Sequence, residues 1–486
     1  MKGKTILLLV FALIGLEAAS FLAWRFPSFG VFAWLIIVGL VVAVSLVKLE
    51  FGLSWVIAEL ILGGKGYLFS LPLGNFDLSI RLGIFSAVFL VWVLRAVKTK
   101  NFWGSQYNFR WLWIGLGGIV VWAGLIGLLR GNGLKAVFLD ANAFLFLGLV
   151  PAFGCLKSRK DFFSLCNFIA AALIVLALKT GLTQGLFNHL PSTSLADYYK
   201  WIRDTGVGEI TFIIGHLYRV FFQSQVFGLL GFFLGIGLVM AQPKFRWLWT
   251  GVAGLSVFVV ITSLSRSFWL GGGVALVMGL IGLLAIKSAR QGFGRVIFHS
   301  AVAGLIGYLG FMWVLNFPYL WGGGIQGGSL VRIRTDISSE SAASSRKELL
   351  PVINQAILDH PYTGSGFGTA LTYRTKDPRV NKNGNAQGTL YTTTAFELGY
   401  NALALQFGLP FFLGYLLVLF TILKKGIVLF KLESRHRAII AGLVLSLIAV
   451  FALHATTPYL NHPLGLGILM LALCAFAIFD PRYERN

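Results

Sequence analysis

The sequence predicts an all-α, polytopic integral membrane protein, and three observations carry that prediction. Of 486 residues, 57% are hydrophobic and only 12% charged, whereas about a quarter of a soluble chain is charged. The hydrophobic residues fall into repeated windows of bilayer length, since ~20 helical residues cross the hydrocarbon core. Lys and Arg gather in alternate connections between those windows, the bias that orients membrane helices. These features exclude a water-soluble enzyme, a disordered chain and a fibrous repeat. A net charge of +22 would point to nucleic acid on a soluble protein. Here most of it sets topology, and no nucleic-acid partner is expected.

Taken in order, candidate spans lie at 5–24, 31–47, 52–64, 78–97, 110–129, 136–154 and 162–179, then at 218–241, 247–264, 267–286, 297–317, 398–423, 438–457 and 462–479. About 12 to 14 transmembrane helices result. Segment 52–64 is too short to cross upright, yet the alternation of basic loops around it favours a crossing over a re-entrant segment. The stretch after Lys2 and Lys4 resembles a signal peptide, but its apolar length and the lack of a small-residue cleavage site predict a retained helix. Basic residues at 48, 95–110, 157–160, 244–246, 287–295, 424–437 and both termini contrast with short turns holding only Arg25, Lys65, Arg130, Lys135 and Arg266. The expected orientation is therefore N-in, C-in. The chain divides into N-terminal helices (1–179), an extracytoplasmic loop (180–217), central helices (218–318), a large structured extracytoplasmic loop (319–396) and C-terminal helices (397–486). Cys155, Cys166 and Cys474 sit in or beside apolar segments, which argues against a disulfide framework or a zinc site.

In the larger loop, residues 344–360 read as an amphipathic helix with Leu349, Val352, Ile353, Ala356 and Ile357 on one face. Ser345 and Glu348 have capping-box spacing. Pro351 then predicts either a kink or a start near Pro351. Pro361 should stop the helix at His360, where the histidine is expected to serve the helix end. Next comes Tyr362-Thr363-Gly364-Ser365-Gly366-Phe367-Gly368. Two readings stay open: Gly364, Gly366 and Gly368 let backbone N–H groups approach an anion, or they make a tight return to the membrane.

Ionisable residues at membrane depth are costly and mark function by default. Arg219 stands where the chain enters the span at 218–241, Arg266 in a turn almost without loop, Glu397 at the opening of the span at 398–423, and Arg346 in the long loop. All four lie near one membrane surface. Each arginine alone is also compatible with snorkelling to lipid phosphates. Together they suit a lipid-linked phosphate or diphosphate, whose oxygens match guanidinium forks. Glu397 has the alternatives of pairing with an arginine or capping a helix. Asp77, Arg81, Asp140 and Glu59 are expected to make polar contacts within the bundle or at its edges, and Glu17 has no obvious partner.

Four stretches carry a family resemblance: Arg219 with FFQSQVFGLLG, TSLSRSFWLGG (262–272), SSRKELLPVINQAILDHPYTGSGFGT (344–369) and FELGYNALALQFGLPFFLG (396–414). In order and spacing, over about residues 210–420, the chain resembles the bacterial O-antigen ligase and O-antigen polymerase superfamily. These are polytopic GT-C-type transferases that take glycan from undecaprenyl diphosphate on the outer face of the inner membrane. Two departures stand out. Gln223-Ser224-Gln225 replaces the family's Asn-Pro-Asn region, and Glu397 takes the place of the ligase histidine, as in polymerase-type members. The resemblance implies Arg219 and Arg266 on the leaving diphosphate and Arg346 holding the donor or the loop. It implies Glu397 as general base, with Ser265, Tyr400 and Asn401 and the three glycines as further substrate contacts.

That reading expects no metal and no cofactor. Its partners are an undecaprenyl-diphosphate-linked glycan donor, a glycan or lipid acceptor, and membrane lipids. A polymerase of surface polysaccharide repeat units is favoured over a ligase joining glycan to lipid A core or another acceptor. From another class, a transporter or flippase of lipid-linked sugar predicts polar residues spread through the bilayer rather than gathered at one face.

Overall fold

The computed structural model describes residues 2–74, 76–104, 109–214, 217–285, 292–317, 341–377, 380–381, 385, 387–433 and 436–481. The described elements are α1 (Lys2–Arg25), α2 (Pro27–Val47), α3 (Leu49–Leu62), β1 (Ser70–Leu73), β2 (Phe76–Ser79), α4 (Ile80–Thr99), α5 (Arg110–Leu129), α6 (Leu134–Leu145) and α7 (Val150–Phe153). There follow α8 (Arg159–His189), α9 (Ala196–Asp204), β3 (Gly208–Ile214), β4 (Leu217–Phe222), α10 (Phe227–Ala241), α11 (Arg246–Thr262), α12 (Arg266–Ala285) and α13 (Phe293–Asn316). The chain ends with α14 (Ser341–Asp359), β5 (Leu371–Thr375), β6 (Thr389–Thr393), α15 (Gly399–Phe407), α16 (Leu409–Leu432), α17 (Arg437–His454) and α18 (Pro463–Ile478).

Among the described residues, 12 helices are long and apolar enough to cross a membrane, so the chain is a mostly helical, multi-pass membrane protein. In hydrocarbon only a helix or a closed barrel satisfies every backbone donor and acceptor internally. The outward faces are correspondingly apolar: Leu276, Leu280 and Leu284 of α12 and Leu413, Leu417 and Phe420 of α16 are exposed. In water such faces would aggregate.

Several expected boundaries change. The segment expected at 52–64 is α3, 14 residues long and buried along nearly its whole length; α18 is 16 residues long and buried throughout. At 1.5 Å per residue these are ~21 and ~24 Å long, short of a ~30 Å core. Neither needs to match lipid, because protein surrounds it. The span expected at 398–423 is broken: Gly408, at φ +80°, ends α15 and starts α16, with Pro410 in the first turn of α16. The span expected at 162–179 runs on as a 31-residue helix to His189, opened by a Ser158–Asp161 capping box. Part of the expected loop at 180–217 is thus helix. The first residues of the expected span at 218–241 are strand β4, which among the described residues is one of six short strands in three antiparallel hairpins. Within the large loop, α14 and the β5–β6 hairpin are described, whereas Arg332, Arg334, Asp336, Glu340, Arg379 and Lys382 lie outside the described residues, as do Lys287, Arg290, Arg435, Arg482 and Arg485.

Helix α14 runs through Pro351, which excludes a start near Pro351, and Ser345 is inside the helix rather than at its cap. Its hydroxyl lies 2.9 Å from the Tyr373 hydroxyl, and Glu348 accepts the Lys376 N–H at 3.2 Å. The stripe Leu349, Ile353 and Ile357 is buried against Phe396, Ala402, Leu405 and Tyr373, which anchors α14 on α15.

Helices α12 and α17 meet through Gly271. A β-carbon there would fall 2.5 Å from the Ala449 carbonyl oxygen, a close approach that small residues allow between membrane helices. Gly271→Leu should therefore lower stability by about 1–3 kcal/mol, the ordinary cost of overpacking, read as a lower unfolding temperature in detergent. Unchanged melting would refute this contact.

Candidate functional site

At one end of the bundle the last turns of α8, α11, α13 and α17 meet the first turns of α10, α12 and α18. His189 Nε2, on α8, lies 3.1 Å from the Val314 carbonyl of α13. The opposite end gathers basic residues: Arg95 donates to the Ser45 and Leu46 carbonyls, and Lys425 pairs with Asp480 at 2.6 Å. The four singled-out charges all belong to the first end.

Arg219 lies on β4 opposite Thr211 of β3, not at a helix entry. The last turns of α8 fix this strand. Gln184 Nε2 donates to the Tyr218 carbonyl at 2.6 Å, and Asn188 Oδ1 accepts the Tyr218 N–H at 3.1 Å. Gln225 closes the strand, accepting the Phe222 N–H at 3.0 Å and donating to the Val220 carbonyl at 3.3 Å. This is a local structural use for the Gln223-Ser224-Gln225 departure. Arg219 lies 4.7 Å over the Phe221 ring, and its Nε donates to the Ser263 carbonyl at 2.9 Å.

That bond joins Arg219 to the turn carrying Arg266. Leu264 takes a positive φ of 47°, which reverses the chain within three residues, and Arg266 opens α12. Ser265 is buried, its N–H donating to Ser263 Oγ at 3.2 Å and its carbonyl accepting the Trp269 N–H. Both bonds are made by the Ser265 backbone, and they shape the turn. One residue after Arg266, Ser267 Oγ accepts from the hydroxyls of Thr456 at 2.9 Å and Thr457 at 2.7 Å.

Arg346 and Glu397 form an ion pair at 2.9 Å, with side chains 28% and 40% exposed. The two side chains are partly exposed, whereas the paired atoms themselves, Arg346 Nε and Glu397 Oε2, are buried between them. Residues 51 apart in sequence meet because α14 lies on α15. Next to them, Asn401 Nδ2 donates to Asn354 Oδ1 at 2.9 Å and Tyr400 donates its hydroxyl to the Phe451 carbonyl at 2.8 Å.

The three glycines do not form an anion cradle. All have φ between 71° and 77°, but the loop's N–H groups are taken up within the chain. Ser365 and Gly366 donate to the Leu405 and Gln406 carbonyls, Phe367 donates to the Ala123 carbonyl, and Gly368 donates to Asp140 Oδ2 at 2.7 Å. Asn132 Nδ2 donates to the carbonyls of Ser365 and Phe367. A β-carbon on Gly366 would overlap the Gly127 backbone. The loop locks α5 and α6 to α15, and the tight-return reading describes it. Gly366→Ala should destabilise the protein by several kcal/mol through steric overlap and a positive φ; wild-type resistance to proteolysis in that variant would refute the packing.

Charged pairs inside the bundle gather toward the same end. Glu59 and Arg81 pair at 2.8 Å, as expected of bundle contacts, and Arg81 also donates to the Gly64 carbonyl. Glu17, which the sequence left without a partner, pairs with Lys179 at 2.6 Å. Residues that sequence reasoning missed are Ser267, His454, Thr456, Thr457 and Tyr459. The polar run between α17 and α18 marked a loop, but nothing in it named Ser267 or Tyr400 as neighbours. Among the described residues no group of three or more His, Cys, Asp or Glu is arranged to hold a metal ion. Comparison with protein-family models, with curated proteins and with solved structures returns no match for this chain.

Proposed function

We propose that the protein is a metal-independent membrane glycosyltransferase. It moves a glycan from an undecaprenyl-diphosphate donor to an acceptor hydroxyl at the outer face of a bacterial cytoplasmic membrane. Polymerisation of polysaccharide repeat units is the favoured outcome. The observation that carries the reading is the partly exposed Arg346–Glu397 pair at 2.9 Å, at the same end of the bundle as Arg219 and Arg266. The basic connections at the opposite end support placing the four charges outside, with N-in, C-in topology and a GT-C-like arrangement.

In this mechanism Arg219 and Arg266 bind the diphosphate and offset the charge that develops on it as the sugar–phosphate bond breaks. Arg346 orients Glu397, whose carboxylate takes the proton of the acceptor hydroxyl as its oxygen attacks the anomeric carbon. The products are the new glycosidic bond and undecaprenyl diphosphate. A polymerase fits a carboxylate at position 397; a ligase differs only in its acceptor. A flippase needs polar groups along the whole depth of the bundle, and the Glu17–Lys179 and Glu59–Arg81 pairs instead gather toward the end that bears the arginines.

Purified protein incubated with an undecaprenyl-diphosphate-linked oligosaccharide should produce a ladder of longer chains. A single addition that requires a lipid acceptor would assign ligase activity instead. Unchanged donor that crosses the bilayer of a proteoliposome would assign transport and overturn the reading.

A further inference from the structure

The residue that connects the two halves of the charged end is His454, at the last position of α17. Its side chain is fully buried. Its Nδ1 accepts two backbone N–H groups, from Tyr459 at 3.0 Å and Leu460 at 3.1 Å. A helix leaves its last carbonyls unpaired, and the reversal that follows must find acceptors for its own donors. Here one imidazole nitrogen supplies both. An Nδ1 that accepts places the hydrogen of a neutral ring on Nε2.

The turn so fixed reaches the arginine-bearing elements. Thr456 and Thr457 donate to Ser267, beside Arg266. Tyr459 donates its hydroxyl to the Gln223 carbonyl at 2.8 Å, just beyond the strand of Arg219, and its ring packs on Phe268. On its other side the His454 ring stands edge-on to Tyr400 at 4.7 Å. A β-carbon on Gly399 would fall 2.6 Å from His454 Cε1. Gly399 and Tyr400 follow Glu397 in the chain by two and three residues.

We infer that His454 is a positioning residue: its Nδ1 fixes the turn that sets the spacing between Arg219 and Arg266 on one side and the Arg346–Glu397 pair on the other. The catalytic consequence rests on the proposed transfer reaction; the fixing of the turn does not. A displacement of about 1 Å in an aligned site lowers turnover by roughly 10²-fold, and that is the loss His454 prevents.

Three variants test this. Asn places its Oδ1 where His454 holds Nδ1, whereas Gln places its acceptor near Nε2. His454→Asn should keep kcat within about threefold of wild type. His454→Gln and His454→Ala should lose on the order of 10²-fold in kcat, with donor KM nearly unchanged. Hydrogen exchange of the 455–462 peptide, measured on the full-length protein in detergent, gives a readout without activity. The amides of Tyr459 and Leu460 should exchange at least tenfold faster in the Ala and Gln variants and at the wild-type rate in Asn. Gln outperforming Asn in turnover would make Nε2 or side-chain volume the operative feature and overturn the inference. Equal exchange in all three variants would also overturn it. If the wild-type protein transfers no glycan, the proposed reaction fails and with it the catalytic consequence, while the exchange rates still decide whether Nδ1 holds the turn.

Discussion

Glu397→Gln should reduce glycan transfer by about 10³-fold, because a general base contributes roughly 10²–10⁴-fold and glutamine cannot accept the proton. Geometry alone would be largely kept, since glutamine is isosteric with the carboxylate that lies 2.9 Å from Arg346. The expected signature is a fall in kcat with donor KM within a few-fold of wild type. Arg266→Ala should act differently. It removes a cation that binds the diphosphate in the ground state and stabilises it more strongly as it leaves, so both KM and kcat suffer, with about 10²–10³ from the loss of charge stabilisation. Initial-rate measurements on purified variants separate the two. Full activity in either one would remove that residue from its assigned role.

Breaking one partner of the Glu59–Arg81 pair should produce the largest loss of stability. Both side chains are 6% exposed, so Arg81→Met leaves a carboxylate buried without its counter-charge, at a cost of about 3–5 kcal/mol. The double variant Glu59→Leu, Arg81→Met removes both charges and should recover most of that loss, because a buried pair often contributes little beyond what apolar packing supplies. Arg81 also donates to the Gly64 carbonyl, and Lys65 donates its N–H to the Gly206 carbonyl just before β3. The pair thus supports the turn on which the hairpin of Arg219 rests. Thermal unfolding in detergent checks it: a double variant as unstable as the single would show that the pair is not the source of the loss.

The membrane class and most helices were legible because lipid imposes a simple rule, about 20 apolar residues per crossing, and windows such as those of α5, α11 and α13 obey it. Helices α3 and α18 broke the rule because protein, not lipid, surrounds them, and an apolar window cannot tell the two apart. The break at Gly408 was hidden inside one continuous apolar run, although Gly-Leu-Pro carries both a residue that takes a positive φ and one suited to a first helical turn. Strands β3 and β4 had a signal in their β-branched and aromatic content, which the apolar-window reading absorbed into a span. The charged residues were legible one at a time, since each is costly where it stands. Their partners were not, although pairing of Glu397 with an arginine was one of its expected alternatives and Arg346 is that arginine. Glu17 with Lys179, Arg346 with Glu397, and His454 with the amides of Tyr459 and Leu460 depend on packing that no local pattern encodes. The glycines show the reverse case: their positive φ was predictable, but whether their N–H groups face a ligand or the Leu405 and Gln406 carbonyls is a tertiary fact.

The central claim is that one glycosidic bond forms for each undecaprenyl diphosphate released at the end of the bundle that carries Arg219, Arg266, Arg346 and Glu397. The most direct test follows a doubly labelled donor, one label in the lipid and one in the glycan, and counts both products from the purified protein. The account predicts equal amounts of undecaprenyl diphosphate and new glycosidic linkage, with both lost together in Glu397→Gln. Release of the lipid without a new linkage, or equal product from the wild-type and Glu397→Gln proteins, would contradict it.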